Sequence, residues 1–350
     1  MSRYEQIKDE LRRAPRTWLI TGVAGFIGSN LLQELLDLGQ TVVGLDNFSS
    51  GYRRNLQEVL RDSRAPRRSF RLIEGDICDA VVCREAAQGA DYVLHQAAIG
   101  SVPRSVLDPA AANHVNVSGT INVLVATRDC GASRMVFASS SAVFGDCNLM
   151  PLAEETIGKP LSPYAVTKYA DEKYAEIFSR TYRMETVGLR YFNVFGPRQD
   201  PLGSYAAVIP QWIHSMLKGD TCQIHGDGET TRDFVGIADV VQANILAATG
   251  ELNPEGHRIF NVGAGRRTSL NELHDLLSDA LVKLRPSYLQ NAPLHDEPRE
   301  GDIKHSQANI SRIVRELGYL PASDLAQGLE ATMQWYLKRL NPVEALAKTA

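Results

Sequence analysis

Tyr164 and Lys168 stand four residues apart in Ser162-Pro-Tyr-Ala-Val-Thr-Lys168. Ser162 suits a helix N-cap and Pro163 the first helical turn, so the spacing predicts a helix with phenol and ammonium on one face. A lysine ammonium beside a phenol favours the phenolate, and a tyrosine with a lowered pKa acts as a general base near neutral pH. Alone, Tyr-x-x-x-Lys is an ordinary helix face. It gains weight from Ser139-Ser140-Ser141, directly after the strand-like run Met135 to Ala138. A hydroxyl there can bridge a substrate hydroxyl and Tyr164. Ser140, Tyr164 and Lys168 are therefore the candidate catalytic residues.

A second constellation lies upstream in Thr21-Gly-Val-Ala-Gly-Phe-Ile-Gly28. Trp18 to Val23 reads as a short buried strand. Ile27, Leu31, Leu32, Leu35 and Leu38 then recur at helical spacing, with Gly39 as a stop. Gly22 allows the tight turn, Gly25 lets backbone approach a pyrophosphate, and Gly28 lets helix and strand pack closely. The helix N-terminus offers amide donors and a positive dipole end to phosphates. Thr41 to Asp46 reads as the next strand, and Asp46 falls 18 positions after Gly28. A carboxylate there accepts the hydroxyls of an adenosine ribose and repels a 2′-phosphate, which selects NAD. A ligand-free strand–turn–helix explains the glycines but not the acid. Asp76-Ile77 and Gln96-Ala97-Ala98 end two further strand candidates, where Asp76 can meet the adenine amino group and the two alanines let a dinucleotide lie close.

The elements that must position these groups follow from the apolar pattern. Strand candidates at Phe70 to Gly75, Tyr92 to Gln96, Met135 to Ala138 and Thr186 to Tyr191 alternate with helical stretches. That alternation predicts an α/β fold, a Rossmann-type doubly wound parallel sheet, with a smaller, mixed C-terminal substrate domain. Residues 1–196 form the expected NAD-binding domain, with 1–16 as an N-terminal extension, read as a short surface helix ending at Pro15. Residues 197–345 form most of the substrate domain, with helices at Val208 to Lys218 and Ser269 to Leu284. Residues 232–262 are expected to return to the main sheet. A length of 350 residues, 44% apolar, suits two such domains, and no fixed-period repeat is visible.

Composition narrows the functional classes. A net charge of −4 gives no basic surface for nucleic acid, and no apolar run approaches the length of a membrane span. Met1 to Arg16 lacks the apolar core of an export signal, so a cytoplasmic location is expected. The five cysteines form no Cys-x-x-Cys pair and read as reduced, mostly packed thiols. The eight histidines show no metal-ligand spacing, so no metal is expected.

With Gly22, Gly25, Gly28, Asp46, Ser140, Tyr164, Lys168 and Tyr191-Phe192-Asn193 in view, the chain resembles the extended short-chain dehydrogenase/reductase family, and within it the UDP-hexose 4-epimerases. Gly100-Ser-Val-Pro-Arg-Ser105, Leu161 to Lys168 and Gly226-Asp-Gly-Glu-Thr-Thr-Arg-Asp233 look like the bacterial UDP-N-acetylhexosamine 4-epimerases of surface-polysaccharide synthesis, the WbpP-like group. The resemblance implies that Tyr164 takes the proton of the sugar 4-hydroxyl, with Ser140 relaying it or holding the hydroxyl, while tightly bound NAD accepts and returns the C4 hydride. It adds Phe26, Ile27, Asn47, Phe48, Ser49, Gly51, Ile77, Asn116 and Tyr191 to the cofactor contacts, and Lys168 as holder of the nicotinamide ribose. Asn193, Arg232 and Arg299 would hold the UDP, the arginines through paired, charge-assisted bonds to the diphosphate. Ser101, Ser141, Ala207, Val208, Trp212, His225, Asp302 and Ser306 complete the implied substrate set. The resemblance also implies a homodimer joined through a four-helix bundle built from Pro109 to Cys130 and Ser162 to Arg183.

Ser141 and Ala142 discriminate among the family's reactions. Related dehydratases carry an Asp-Glu pair there and decarboxylases a Glu, because elimination needs an acid and a base. Neither residue here moves protons, so epimerisation fits. Phe144 replaces a tyrosine common in relatives, at a position that carries no proton. Ser306 aligns where epimerases restricted to non-acetylated sugars have a bulky tyrosine, leaving room for an acetamido group. UDP-GlcNAc and UDP-GalNAc are the expected pair. Their uronic acid forms remain the alternative, with Arg104, Ser101 and Ser105 as candidates for a C6 carboxylate. An oxidoreductase that releases NADH and a silent NAD-binding protein are the readings from other classes. No cysteine is placed as a nucleophile for further oxidation, and the intact Ser140, Tyr164 and Lys168 speak against silence.

Overall fold

The computed structural model describes residues 1–202, 206–252, 257–298, 303–321 and 324–340. The chain opens on α1 (Arg3–Arg13), whose N-cap Ser2 accepts from the Glu5 amide. Ile7 and Leu11, one turn apart, are buried and α1 packs on a later helix, so this surface helix is tied to the core along one face. Next come β1 (Thr17–Thr21), α2 (Phe26–Asp37), β2 (Thr41–Asp46), α3 (Arg53–Asp62), β3 (Phe70–Glu74), α4 (Ala80–Ala87) and β4 (Tyr92–His95). Two short helices, α5 (Val102–Leu107) and α6 (Pro109–Asn113), lead through a π-helical turn over His114–Ser118 into α7 (Gly119–Cys130). β5 (Arg134–Ser140), α8 (Pro163–Tyr182), β6 (Glu185–Tyr191) and the short β7 (Asn193–Phe195) follow.

Beyond β7 the alternation loosens. The chain forms α9 (Val208–Lys218), β8 (Gln223–His225), β9 (Thr231–Arg232), β10 (Phe234–Gly236) and α10 (Ile237–Thr249). It then returns to the main sheet as β11 (His257–Val262), which pairs in parallel with β6. The last elements are β12 (Thr268–Ser269), α11 (Leu270–Leu284), β13 (Leu294–Asp296), α12 (Ser311–Leu317) and α13 (Leu325–Leu340).

The main sheet has seven strands in the order β11-β6-β5-β4-β1-β2-β3, with every pairing parallel. A parallel sheet is covered on both faces, so its strands read as apolar runs and neighbouring residues serve opposite layers. Ile20, Val42, Leu94 and Val136 pack beneath α1, α2 and α10, whereas Leu19, Val43, Val93 and Phe137 pack beneath α4 and α7. A separate core joins α9, α11 and α13 through Ile213, Leu277 and Met333. The strand order reverses between β1 and β4, and the crevice at the carboxyl ends of these strands is where such folds bind dinucleotides. Among the described residues no helix is long and apolar enough to cross a membrane.

Candidate active site

The turn from β1 to α2 is built so that only glycine fits. Gly22 has φ +70°, and a Cβ there would meet the Ala97 amide nitrogen at 2.8 Å. A Cβ on Gly28 would sit 2.1 Å from the Gly22 carbonyl oxygen, inside any contact distance. Gly25 is the N-cap of α2 and brings no side-chain acceptor to the first-turn amides. These features fit a pyrophosphate laid against backbone. Asp46, at the end of β2, accepts from the Ala24 amide and the Phe48 amide, each at 2.8 Å. Burial raises its pKa, with both amides working the other way. Each carboxylate oxygen accepts more than one bond, so a ribose diol can still be met there. Asp76 accepts from Asn47 Nδ2 and the Cys78 amide, each at 2.8 Å. Although burial pushes upward, these bonds hold its pKa below the usual carboxylate value. The residues present therefore fit NAD.

A continuous cleft runs over the strand ends. Its first part is lined by Gly22, Asp46, Asn47, Ser49, Gly51, Asp76, Ile77, Gln96, Ala97 and Ala98. The middle carries Phe26, Ile27, Gly28, Ser101, Arg104, Ser140, Tyr164, Lys168 and Tyr191. The last part shares Ser140, Tyr164 and Tyr191 with the middle and adds Ser141, Asn193, Arg232 and Ser306. Residues far apart in sequence thus meet along one surface. Two of the expected reacting groups, Ser140 and Tyr164, sit where its middle and last parts join.

Local structure explains these placements. Ser162 caps α8 by accepting from the Ala165 amide at 3.1 Å, and Pro163 follows at the first position. The Tyr164 amide donates to Ser105 Oγ at 3.0 Å. At the end of β5, Ser140 Oγ accepts from the Ala142 amide at 3.1 Å, which leaves its proton available to a ligand. Lys168 is 2% exposed, and its Nζ lies 3.4 Å from Asp171 Oδ2.

A buried polar layer supports the cleft from behind, and sequence reasoning missed it. Ser139 donates to Glu172 Oε1 at 2.6 Å, and Arg190 clamps the same carboxylate with Nε and Nη2, both at 2.8 Å. Arg190 Nη1 also donates to the Glu154 carbonyl oxygen at 2.8 Å. His95 is fully enclosed between Thr21 Oγ1 at 2.6 Å and Thr120 Oγ1 at 2.9 Å. Burial, and then the charge of Lys168, push its pKa down to about 3, so it is neutral. Asp233 accepts from the amides of Ala264, Gly265 and Ala308, tying the neighbour of Arg232 to two loops. One signal was readable: Lys168, Asp171 and Glu172 recur at helical spacing from Tyr164.

Several expected residues lie elsewhere. Asn116 is fully buried, bonded to both backbone groups of Ile99 and to the Thr167 hydroxyl, so its side chain braces the cleft wall rather than facing a cofactor. Trp212 is a core residue: its indole donates to the Gln223 carbonyl and packs edge-on to His274. Ser105 is fully buried, held by the Tyr164 amide and the Val102 carbonyl, and cannot reach a sugar carboxylate. Phe48 (φ +58°) lies under the Arg53 guanidinium, Ala207 is the N-cap and Val208 the first residue of α9, and His225 ends β8. Arg299 and Asp302 lie outside the described residues. Among the described residues no cluster of potential metal ligands occurs.

Residues 18–263 match the NAD dependent epimerase/dehydratase family. The chain is 37% identical over 320 residues to a UDP-glucose 4-epimerase of Mycolicibacterium smegmatis, covering 91% of this chain and 97% of that protein. It is 32% identical to UDP-glucuronate 4-epimerase 4 of Arabidopsis thaliana, covering 92% and 75% respectively. Its structure resembles that of the UDP-N-acetylglucosamine 4-epimerase from Methanobrevibacter ruminantium M1 in complex with UDP-N-acetylmuramic acid, with a TM-score of 0.84 and 35% identity over 93% of this chain and 99% of that one.

Proposed function

Because the chain belongs to the NAD dependent epimerase/dehydratase family, we propose that it is a UDP-sugar 4-epimerase acting on the pair UDP-GlcNAc and UDP-GalNAc. The observation that carries the reaction type is the lining of the sugar end of the cleft. Ser140 and Tyr164 meet there, and no Asp or Glu is present among its described residues. Water elimination needs such an acid or base; reversible oxidation of one hydroxyl does not.

In this reading Tyr164, which lines the middle of the cleft together with Lys168, accepts the proton of the 4-hydroxyl. Ser140 stands between them, accepting from the Ala142 amide and donating toward the oxygen. NAD, when bound, supplies the acceptor and donor for one hydride. The 4-keto sugar turns over in the cleft, and Tyr164 returns the proton to the new alcohol. Lys168 holds the nicotinamide ribose, Asp46 the adenosine ribose, and Asn193, Arg232 and Arg299 the UDP. The smaller C-terminal unit adds Arg232, Ile303, His305 and Ser306 to the wall of the sugar site.

The acetylated substrate is favoured by Ser306, a small side chain on the wall of the sugar chamber, fixed by its amide donating to the Thr231 carbonyl at 3.1 Å. Among the described residues of that chamber Arg232 is the sole Lys or Arg, and it is assigned to the diphosphate. A C6 carboxylate would lack a dedicated cation. The uronic forms stay the second reading on one observation: exposed Arg104 lines the adjoining middle of the cleft. A homodimer through α7 and α8 is part of the same proposal, supported by Val166, Tyr174 and Ile177 exposed along α8.

Tyr164→Phe tests the assignment. It is expected to abolish epimerisation of UDP-GlcNAc while co-purified NAD remains; an active variant would remove Tyr164 as the base.

A further inference from the structure

The Lys168 ammonium sits in a nearly dry pocket, and one carboxylate answers it. Asp171 follows one turn later on α8, with side-chain exposures of 3% for Lys168 and 1% for Asp171. Its Oδ2 lies 3.4 Å from Nζ, while its Oδ1 has no hydrogen-bond partner. The other ionisable groups packed around it are committed or uncharged. Glu172, next in the chain, is clamped by Arg190 from β6. His95 from β4 is neutral between Thr21 and Thr120. From α7 the Thr120 hydroxyl approaches the carboxylate.

We propose that Asp171 is the buried counterion of Lys168, a positioning residue that anchors the ammonium at the floor of the cleft and damps the positive field in which Tyr164 ionises. The inference rests on the epimerase reading of the site. It gives the pair a function: a carboxylate that partly compensates the ammonium weakens the field favouring phenolate, and so keeps the phenolate a stronger base than a lone ammonium would allow.

Tyr164 and Asp171 are seven residues apart on one helix, roughly 10 Å along its axis. Removing a unit charge at that distance, at an effective dielectric constant of about 20, changes an ionisation equilibrium by about tenfold. The experiment uses the NAD-loaded full chain as wild type and as Asp171→Asn, which keeps the shape and removes the charge. Two quantities are read against pH. One is kcat/KM with UDP-GlcNAc and UDP-glucose. The other is the ultraviolet phenolate signal of Tyr164, taken as the difference from Tyr164→Phe in each background. The expected result is an acidic limb and a phenolate transition that both move down by about one pH unit, with NAD still bound. Asp171→Glu should keep the wild-type limb, and Asp171→Ser supplies the neutral test should the amide variant not fold. An unmoved or upward-shifted phenolate transition would overturn the counterion, as would an Asp171→Asn variant impaired equally at every pH. Wild-type protein inactive on both sugars would instead remove the epimerase reading, and the phenolate titration would still decide the counterion.

Discussion

Glu172→Gln is the most informative perturbation of the scaffold behind the site. The wild-type carboxylate receives three charge-assisted or hydroxyl bonds, from Ser139 Oγ and from Arg190 Nε and Nη2. Glu172 and Arg190 are 3% and 2% exposed, so water cannot substitute for a lost partner. The amide keeps one oxygen for Ser139 and Nε, but turns an NH2 group toward Nη2, donor against donor. One bond is lost, two lose their ionic character, and a guanidinium stays buried without its counterion. Breaking a buried pair from one side costs about 3–5 kcal/mol. Replacing both partners with apolar residues removes the uncompensated charge. Glu172→Leu with Arg190→Met should therefore cost about 2 kcal/mol less than the sum of the single changes. Urea unfolding of NAD-saturated protein, followed by circular dichroism, measures each term. The reasoning fails if Glu172→Gln stays within about 1 kcal/mol of wild type, or if the two changes simply add.

Other predictions rest on separate observations. Gly28→Ala places a methyl 2.1 Å from the Gly22 carbonyl oxygen and should eliminate retained NAD. Gly39→Ala, at φ +73° with nothing within 4 Å, should cost about 1–2 kcal/mol and keep the cofactor; NAD released on heat denaturation reports retention in both variants, and urea unfolding reports the cost. His95 should make the fold acid-sensitive. The unfolded chain takes up a proton below the ordinary value of 6.5, whereas folded His95 waits until about 3, so stability is lost progressively as pH falls through that window. The loss is about 2 kcal/mol at pH 5. Asp171 and Asp233, both raised to about 6 by burial, act in the opposite sense between 6 and 3.8, so the readout is the difference in melting temperature between wild type and His95→Gln across pH. Ser306→Tyr should abolish turnover of UDP-GlcNAc while UDP-Gal turnover survives; equal loss of both would remove Ser306 as the specificity residue.

The elements legible in the sequence were those whose signal is local. The glycine turn, the strand ending in Asp46 and the capped start of α8 each follow from neighbouring residues, and the structure has them within a residue or two. Helix Val208–Lys218 has the anticipated bounds. What escaped depends on partners distant in sequence. Arg190 and Glu172 look like ordinary charges until the sheet and α8 bring them together 18 residues apart, and Asn116 faces Thr167 across 51 residues. Trp212 illustrates the converse: its helix was read correctly, but which face of α9 meets the core depends on α11 and α13. His95, at the end of an apolar strand, gave no sign that two threonines would enclose it.

The most direct test of the central claim is to incubate purified protein with UDP-GlcNAc, without added cofactor, and follow the sugar by NMR. The account predicts an equilibrium mixture with UDP-GalNAc, approached from either sugar, with no NADH released to solution. Failure to interconvert the two sugars by protein shown to carry NAD, or stoichiometric release of NADH, would contradict it.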